Sequence, residues 1–376
     1  MASKTPVDCV IVGAGPTGLT LALELSRAGK SVLIFDRSAG PRPEHQSRAL
    51  GILPPTLAIL EPSQVTMHLL SEGLRIRRMD VSQNGAFRFT LDLTKAGGKF
   101  PFILTLPQGR TERILLEALA KYGVKPTWNM KATGLDNTGQ YPVVLVLFDG
   151  KTQHIAGKRI VGCDGVHSAV RKSLGISFNG DKLPTVFSLA DVTLNEAIDP
   201  SVAKADLVDG GFTAQLPLSG NSVRLIGAFP DVEQRPEFTS RIKEVGWHSD
   251  FTVTFRHVDK MSHGQVFLAG DAAHVHSPAG ARGMNTGIAD AAWLAWLICE
   301  GRESDYNKYR LPIARKIISQ TRGFTDFILN RSPVMRFLVR FILPGLMRIP
   351  LVQKKAAQQL LAFDMPQPEW VVGNGL

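Results

Sequence analysis

The sequence predicts an α/β fold in which a Rossmann-like domain is interleaved with a smaller, mostly antiparallel β-sheet domain and followed by a helical C-terminal segment. Three observations support this prediction. A glycine-rich loop follows an apolar run near the start of the chain, Asp-Gly and Gly-Asp turns follow two later apolar runs, and segments of alternating polar and apolar residues lie between them. Short, continuous apolar runs are typical of buried parallel strands, whereas alternation is typical of half-buried antiparallel strands.

The composition excludes several classes of protein. The chain has 376 residues, of which 44% are hydrophobic and 20% charged, and its three cysteines are Cys9, Cys163 and Cys299. That apolar content is too high for a disordered chain, and so few, scattered cysteines indicate neither a disulfide framework nor a zinc site. We therefore expect a globular, cytoplasmic protein with free thiols and, from its length, about two domains.

The positive charge is concentrated near the C-terminal end. The 43 Lys and Arg against 33 Asp and Glu give a net charge of +10, and residues 300–363 hold twelve of the basic residues but only four acidic ones. No nucleic-acid recognition motif accompanies them, so we expect no nucleic-acid partner. Basic residues among apolar ones either contact an anionic membrane peripherally or form terminal helices that cover the preceding domain, and we favour the second role.

Neither a secretory signal nor a membrane-spanning helix is expected. The N-terminus, Met1–Pro6, is short and polar, unlike the basic start and apolar core of a signal peptide. The most apolar stretch, residues 337–352, is interrupted by arginines and prolines. Its apolar runs are therefore much shorter than the roughly 20 residues that a membrane span needs.

The first motif is a glycine-rich loop between a strand and a helix. The run Asp8–Val12 predicts a buried strand, and Gly13, Gly15 and Gly18 follow it with the spacing G-x-G-x-x-G. The first glycine permits a tight turn, the second lets the backbone approach a pyrophosphate, and the third lets the next helix pack closely on the strand. That helix is predicted over Pro16–Arg27, before Gly29.

An acidic residue completes the pattern of a dinucleotide site. The second strand, Ser31–Phe35, ends in Asp36, whose carboxylate can accept hydrogen bonds from the hydroxyls of a ribose. The helix N-terminus offers unpaired N–H groups and a favourable dipole to phosphates. Strand, helix, second strand and acidic residue therefore occur in the expected order, although this site alone does not distinguish FAD from NAD.

Two later motifs identify the cofactor. Residues 159–171 contain a strand that ends at Asp164 and Gly165, and residues 266–290 contain Gly270 and Asp271 before a glycine-rich helix start. With the opening loop they resemble, in order and spacing, the three fingerprints of the flavoprotein aromatic hydroxylases, the single-component FAD-dependent monooxygenases similar to p-hydroxybenzoate hydroxylase. The resemblance is specific for fold and cofactor but not for substrate. It covers three portions of the chain, roughly residues 1–60, 105–178 and 258–325.

This resemblance implies a set of FAD-binding residues. Asp271 would hold the ribityl chain, and the helix start after it would lie beside the pyrimidine edge of the flavin, where a helix N-terminus stabilises negative charge on the reduced ring by about 0.3–1 kcal/mol. Arg48, Gln108 and Asp164 resemble family residues that contact the cofactor; a salt bridge, a helix cap and a simple Asp-Gly turn are the respective alternatives. Together with the glycine loop and the acidic residue after it, the predicted cofactor-binding residues are Gly13, Gly15, Gly18, Asp36, Arg37, Arg48, Gln108, Asp164, Asp271, Pro278, Gly280, Gly283, Met284 and Asn285, of which Arg37 is a candidate for the nicotinamide cofactor.

The resemblance also implies the reaction. FAD is reduced by NADPH or NADH, the reduced flavin reacts with O2 to a C4a-hydroperoxide, and the distal oxygen is transferred to an aromatic or polyketide-like ring. Arg37, Arg42 and His45 are candidates to contact the phosphates of the transiently bound nicotinamide cofactor, although exposed loop residues are more often simply solvated. We expect no metal, because His274 and His276 have no third ligand at a suitable spacing.

No catalytic base is identified from spacing. His45, Gln215 and Arg282 are candidates for the substrate pocket because they lie on segments expected to face the flavin. Many relatives carry an uncharged residue in place of Arg282. Two positions of its side chain are therefore open. Either its cation lies close to the flavin, where it could also bind an anionic substrate, or it points away into solvent.

Segments of alternating polarity define the second domain. Residues 87–93, 186–194, 211–218, 222–229 and 251–258 predict half-buried antiparallel strands that stand over the flavin. No thioredoxin-like third domain of the kind found in longer phenol hydroxylases is expected. The predicted FAD-binding domain comprises residues 1–75, 105–178 and 258–325, the substrate domain residues 76–104 and 179–257, and the basic, apolar helical segment residues 326–376.

Two other functions fit the same fold. One is another flavin-dependent oxidoreductase, a halogenase or a reductase. Halogenases of this lineage carry a W-x-W-x-I-P motif, whereas Trp293 and Trp296 are three residues apart, which is typical of helical core packing. The other is a non-catalytic flavin-binding protein that acts through its basic C-terminal segment and retains FAD without oxidising NADPH or NADH.

Overall fold

The computed structural model describes residues 6–44, 49–329 and 332–372 of the chain. Its strands are β1 Cys9–Val12, β2 Val32–Phe35, β3 Gly51–Ile52, β4 Leu74–Ile76, β5 Arg78–Gln83, β6 Ala86–Asp92, β7 Ile103–Thr105, β8 Lys131–Asp136, β9 Val143–Phe148, β10 Lys151–Ala156, β11 Ile160–Gly162, β12 Asn179–Leu194, β13 Val202–Val208, β14 Gly211–Ser219, β15 Ser222–Gly227, β16 Ile242–His257, β17 Ser262–His263, β18 Val266–Leu268 and β19 His274–Val275. Its α-helices are α1 Pro16–Arg27, α2 Pro54–Ile59, α3 Val65–Glu72, α4 Gln108–Ala120, α5 Ala169–Ser173, α6 Pro236–Thr239, α7 Arg282–Cys299, α8 Tyr306–Leu329, α9 Pro333–Phe337, α10 Leu343–Leu346, α11 Pro350–Leu360 and α12 Glu369–Val372.

A five-stranded sheet organises the three sequence motifs. Its strand order is β17-β18-β11-β1-β2, and all neighbours run parallel except β17 and β18. Every residue of β1 is buried, as expected for a continuous apolar run covered on both faces. The predicted helix over Pro16–Arg27 is confirmed as α1, which packs on α7 and α4. Helices α1 and α7 therefore pack together beside this sheet, and each begins shortly after one of the loops that follow its strands.

An eight-stranded sheet forms a second layer of the molecule. Its order is β19-β16-β12-β15-β14-β13-β5-β6, and its neighbours are antiparallel except for the parallel pair β13 and β5. The predicted alternating segments lie in β6, β12, β14, β15 and β16. Strands β5 and β13, and the first half of β16, were not among those segments. Strand β19 joins the edge of this sheet directly from the third motif, so the two layers are connected there.

The two faces of the eight-stranded sheet have different neighbours. On the face that we call outer, Leu225 of β15 packs with Phe238 of α6. On the face that we call inner, Phe187 and Phe212 pack with Ile318 of α8. Since paired residues of antiparallel strands share a face, the register assigns every other residue of these strands to one side or the other.

Two smaller sheets and a series of helices complete the fold. The smaller sheets have the orders β10-β9-β8 and β3-β7-β4. Trp293 and Trp296 lie in α7, are only 6% and 7% exposed and meet edge to face at 5.3 Å, so the predicted helical core packing is confirmed. Within the described part of the chain, no helix is both long and apolar enough to cross a membrane.

Candidate functional site

Three loops meet at the carboxyl ends of the neighbouring strands β1, β11 and β18. The N–H of Cys163, after β11, donates to the carbonyl of Val12 at 2.7 Å, and the N–H of Ala269, after β18, donates to the carbonyl of Gly162 at 3.0 Å. Parallel neighbours place their carboxyl ends at the same edge of a sheet, which is where ligands bind in open α/β folds. The three motifs, far apart in sequence, therefore form one site.

The glycine loop is tightly packed on one side and open on the other. Gly13 has φ +108°, and a Cβ there would lie 2.4 Å from the carbonyl oxygen of Cys163; a Cβ on Gly18 would lie 1.9 Å from the carbonyl oxygen of Gly13. A Cβ on Gly15 would meet no described atom within 4 Å. Gly15 is also the N-cap of α1, and no side chain caps that helix. The N-terminus of α1 therefore has no side-chain cap and has open space beside Gly15, which suits a phosphate.

Asp36 lies beside this loop at the end of β2. Its Oδ2 accepts a hydrogen bond from the N–H of Ala14 at 2.8 Å, and its Oδ1 accepts from the N–H and hydroxyl of Ser38, both at 2.8 Å. The next residue, Arg37, is exposed. The carboxylate is therefore held against the glycine loop by two backbone N–H groups and the Ser38 hydroxyl.

The predicted contacts near the start of α4 are only partly described. Gln108 begins α4, and its Nε2 donates to Oε1 of Glu112 at 2.7 Å. The guanidinium of Arg42 lies 3.6 Å from the same carboxylate, so Arg42 and Gln108 are brought together. His45 and Arg48 lie outside the described residues.

Asp164 lies after β11 and uses only one of its two carboxylate oxygens in hydrogen bonds to described residues. Its Oδ2 accepts from the N–H groups of Ala169 and Val170 at 2.6 and 3.3 Å, at the start of α5. Its Oδ1 is buried and has no hydrogen-bond partner among the described residues. Desolvation by burial raises the pKa of this carboxyl, while the backbone and Ser168 hydrogen bonds lower it. The Oδ1 atom of Asp164 is therefore a desolvated hydrogen-bond acceptor where the three loops meet, and a hydrogen-bond donor from a ligand or an ordered water would stabilise it.

Asp271 presents a carboxylate in the short turn after β18. Solvent reaches its side chain, yet it lies deep enough among protein atoms that desolvation raises its pKa, while the charges of His274 and Arg42 lower it. No described residue forms a hydrogen bond with it. The carboxylate therefore lies in a recess of the protein, where a hydroxyl donor would gain a charge-assisted hydrogen bond.

A buried ion pair behind Asp271 was missed by the sequence analysis. Asp290 of α7 is fully buried; it accepts from the N–H of Gly270 at 3.0 Å and from Nε of Arg310 at 2.7 Å, and Nε2 of His274 lies 2.6 Å from it. Burial alone would raise the pKa of Asp290, but Arg310 and His274 outweigh this effect and lower it. The pair thus holds the turn that presents Asp271. Asp290 was visible in the third motif, whereas Arg310 lies on α8 and no local pattern marks it.

The start of α7 is fixed by a buried amide. Asn285 is fully buried, its Nδ2 donates to the carbonyl of Gly51 at 2.9 Å, and its Oδ1 accepts from the N–H of Leu53 at 2.8 Å. Ala281, the N-cap of α7, has φ +54°, and no side chain caps this helix. The first N–H groups of α7 are therefore free of side-chain caps. Around them lie the other predicted residues, Pro278, Gly280, Gly283 and Met284, all partly or fully exposed.

Two candidates for the substrate pocket point elsewhere. Arg282 is only 7% exposed, donates to the carbonyl of Gln359 at 2.5 Å and lies 3.3 Å from Asp364. The expectation that it points into solvent is therefore wrong, and its charge is paired with the C-terminal segment. Gln215 is paired with Leu225, so it lies on the outer face of the eight-stranded sheet, where it lines a cavity of about 250 Å³. That placement gives no support for a role beside the flavin.

Comparison with known proteins agrees with this arrangement. Residues 6–239 and 234–321 match the model of the family described as FAD binding domain. The chain is 32% identical to 6-methylpretetramide 4-monooxygenase of Streptomyces rimosus, over 94% of this chain and 68% of that protein. It is 31% identical to pentachlorophenol 4-monooxygenase of Sphingobium chlorophenolicum, over 86% of this chain and 65% of that protein.

A solved structure shows the same fold. The OxyS anhydrotetracycline hydroxylase from Streptomyces rimosus superposes with a TM-score of 0.80 at 29% identity, over 97% of this chain and 77% of that one. The similarity thus extends over nearly all of the chain, and it includes all three loops of the site.

Proposed function

The chain belongs to the FAD binding domain family and is an FAD-dependent monooxygenase. We propose that it hydroxylates an aromatic or polyketide-like ring, and we propose below which residues bind the cofactor and the ring. The observation that carries the proposal is the meeting of three loops, with their unpaired polar groups, at one edge of the parallel sheet. When bound and reduced by NADPH or NADH, FAD would supply the electrons that activate O2, and O2 would supply the oxygen atom. The protein must bind and orient the cofactor and the ring and exclude water.

The unpaired groups of the site fit FAD. The open space beyond Gly15 and the uncapped N-terminus of α1 suit the pyrophosphate, and Asp36 beside them suits a ribose. The desolvated carboxylate of Asp271 suits the ribityl hydroxyls, and the orphaned Oδ1 of Asp164 suits a further hydroxyl or ordered water of the bound cofactor. We assign these residues, together with Arg48 and Gln108, to FAD binding.

The start of α7 is assigned to the flavin ring. Helix α7 is 18 residues long and its N-terminus has no side-chain cap, so its dipole and free N–H groups favour negative charge nearby. Asn285 holds this helix start against β3 and thereby fixes its position. The residues assigned to this contact are Pro278, Gly280, Gly283 and Met284, and the buried Asn285 is assigned to hold them in place.

Replacement of Asp271 tests the cofactor assignment. In Asp271→Ala the ribityl hydroxyl loses a charged acceptor, a loss of about 1.5–3 kcal/mol, so the Kd for FAD should rise by roughly 10- to 150-fold. Asp259→Ala, which removes an exposed carboxylate elsewhere, is the control and should leave the Kd unchanged. Equal affinities of the two variants for FAD would overturn the role of Asp271.

The nicotinamide cofactor is proposed to contact Arg37. This arginine is exposed directly after Asp36, and the structure pairs it with no described carboxylate. Arg37→Gln should therefore raise the KM for NADPH or NADH while the Kd for FAD stays constant. An unchanged KM would remove Arg37 from the proposal.

The proposed domains follow the two large sheets. We propose an FAD-binding domain of residues 1–75, 105–178 and 258–325, interleaved with a substrate domain of residues 76–104 and 179–257. The eight-stranded sheet belongs to the substrate domain except for its edge strand β19, which comes from the FAD-binding domain. The remaining segment, residues 326–376, has six basic and three acidic residues. Besides its contacts with the rest of the protein, through Gln353 and Gln359, we propose that it contacts a lipid surface peripherally.

The inner face of the eight-stranded sheet is proposed as the substrate wall. Ala214, Leu216 and Ile226 lie on this face and are partly exposed. The hydroxyl of Thr105 donates to the carbonyl of Pro217 at 3.0 Å, which ties β14 to β7 and so to β3, the strand that Asn285 contacts. This apolar face therefore lies beside the elements that position the start of α7.

The charges on this wall favour a neutral ring over a carboxylate-bearing one. Arg224 shares the inner face, but it is 1% exposed and its guanidinium makes two hydrogen bonds to Asp191, at 2.6 and 2.7 Å. Its charge is thus neutralised within the sheet. Because the only cation named on this wall is already paired, the carboxylate of a benzoate would add little binding free energy there. A neutral phenol or polycyclic ring would bind through burial of its apolar surface.

Adjacent residues of β14 provide a matched test of the wall. Leu216→Arg puts an unpaired cation on the inner face and should shift the preference, measured as kcat/KM, from neutral phenols toward hydroxybenzoates. Gln215→Arg puts the same cation on the outer face and should leave the preference unchanged. If both variants, or neither, change the preference, the inner face is not the substrate wall.

Turnover tests the function itself. The purified protein should retain yellow FAD, and phenols or quinols should stimulate its oxidation of NADPH or NADH and give an oxygenated product by mass spectrometry. Stimulated oxidation with halogenated or reduced products would identify a halogenase or reductase. Retained FAD without any NADPH or NADH oxidation would identify a non-catalytic flavin-binding protein.

A further inference from the structure

Residues 333–351 expose an unusual apolar surface. They comprise α9, a π-helical turn over Leu338–Ile342, α10 and the first turn of α11. We call this stretch the C-terminal apolar surface. Its large apolar side chains with 39–68% exposure are Val334, Phe337, Leu338, Phe341, Ile342, Leu346, Ile349 and Leu351.

This surface belongs to a segment that is docked on the rest of the protein. Val339, between the exposed residues, is only 2% exposed, and Nε2 of Gln353 donates to the carbonyl of Thr90 at 3.3 Å. The rings of Phe337 and Phe341 lie 5.0 Å apart on the open side. One side of the segment is thus packed on the protein while the other leaves apolar groups in water, and contiguous exposed apolar patches of this kind mark interaction sites.

The stretch of chain that forms the surface carries only positive charges, one of which, on Arg336, is paired with Asp209. Residues 327–363 contain six basic residues and no acidic one. Arg340 and Arg348 are exposed among the apolar side chains, and Lys354 and Lys355 are exposed directly after them. A partner must therefore accept apolar side chains and carry negative charge.

We propose that the C-terminal apolar surface binds an anionic lipid membrane, with its apolar side chains inserted at the level of the headgroups. This inference rests on the lipid contact proposed for residues 326–376 and names its surface and the class of lipid. Helices with exposed apolar residues beside Lys and Arg lie in the plane of an interface, and each basic residue is attracted by anionic headgroups.

The alternatives fit the surface less well. A membrane span is excluded for the described helices by their length and polarity. A second copy of the chain on this surface would form a self-complementary contact, which would bring the arginines of both copies together without an acidic residue of residues 327–363 to pair them. An anionic lipid membrane would bury the apolar side chains and attract the basic ones at the same time.

Vesicle binding by the full-length holoenzyme tests the proposal. It should sediment with vesicles of phosphatidylserine and phosphatidylcholine at low salt, more weakly at high salt, and weakly with phosphatidylcholine alone. Phe337→Ser with Phe341→Ser should abolish binding. Arg340→Gln with Arg348→Gln should lower the partition coefficient on anionic vesicles by roughly 25-fold, about fivefold for each charge.

Matched controls separate this surface from general stickiness and from misfolding. Met67→Ser with Lys151→Gln removes one exposed apolar and one basic residue from other elements and should leave binding unchanged. Each variant should keep the melting temperature and the ring-stimulated NADPH oxidation of the wild type, because the exposed residues touch neither the core nor the site.

Three outcomes would overturn the proposal. The first is that the wild type does not bind anionic vesicles, and the second is that it binds neutral vesicles equally well. The third is that the Phe337→Ser, Phe341→Ser variant binds vesicles like the wild type but no longer forms a concentration-dependent dimer in analytical ultracentrifugation. Failure of the monooxygenase reaction would show instead as missing ring-stimulated NADPH oxidation in a wild type that still binds vesicles.

Discussion

Replacing Arg310 with methionine should destabilise the protein far more than replacing an exposed arginine on the same helix. Arg310 and Asp290 are both fully buried, and Nε of Arg310 donates to Asp290 at 2.7 Å. The variant leaves the carboxylate of Asp290 buried without its cation, which costs about 3–5 kcal/mol. That is a large part of the roughly 5–15 kcal/mol by which a typical protein is stable.

Urea unfolding of matched variants measures this cost. Arg322→Met removes an arginine of the same helix that pairs with Asp181 where both side chains are exposed, and it should cost less than about 1 kcal/mol. Adding Asp290→Asn to Arg310→Met should restore part of the loss, because the buried carboxylate is then neutral. FAD affinity should fall in Arg310→Met, since Asp290 holds the Gly270 N–H.

The pH dependence gives an independent check. The pKa of Asp290 is lowered from the ordinary value of 3.8, so its stabilising contribution is present above that value and is lost as the pH falls through the lower, folded-state pKa. The free-energy gap between wild type and Arg310→Met should therefore narrow at acid pH. A loss no larger than that of Arg322→Met, or a gap independent of pH, would refute the reasoning.

Three further outcomes follow from single side chains. Ala281→Gly should raise the unfolding free energy by about 0.5–1 kcal/mol in thermal melts, because Ala281 has φ +54°, where an L side chain is strained; a lower melting temperature would contradict this. Gly15→Ala should weaken FAD binding but leave the stability of the apoprotein nearly unchanged, because a Cβ there meets no described atom within 4 Å. Gly18→Ala should instead lower the melting temperature of the apoprotein, because its Cβ would clash with the carbonyl oxygen of Gly13. Equal melting temperatures of the two apoproteins would contradict this packing. His276→Gln should not move the pH profile of kcat/KM between about pH 5 and 8, because burial lowers the pKa of His276 to about 4; a displaced limb would show that it titrates there.

Local patterns predicted the elements that carry the cofactor site. The glycine spacing and the apolar runs around it depend on residues adjacent in the chain, and α1 begins and ends where they predicted, at Pro16 and Arg27. The third motif likewise predicted a turn and helix start over residues 280–285, and α7 begins there, at Arg282. Such signals are readable because turn geometry, helix capping and burial of a strand are set within a few residues.

The sides of the large sheet could not be read in the same way. Gln215 and Leu216 are adjacent, yet they lie on opposite faces, and a shift of one residue in register exchanges the two. The register is set by strands β13 and β15 and by the helices packed on each face. A pattern along β14 alone therefore does not tell which residue faces the substrate.

By itself, the sequence determined the α/β class and the dinucleotide-binding loop, because these depend on short motifs whose geometry is local, and the resemblance of its motifs to a known family indicated the cofactor and the family of reactions. The tertiary structure alone decided which distant residues pair: Arg310 with Asp290 behind the flavin turn, and Arg282 with Asp364 in place of solvent. It also decided that residues 333–351 leave their apolar side chains uncovered. The physical reason is that burial and charge pairing depend on the neighbours that the whole fold supplies.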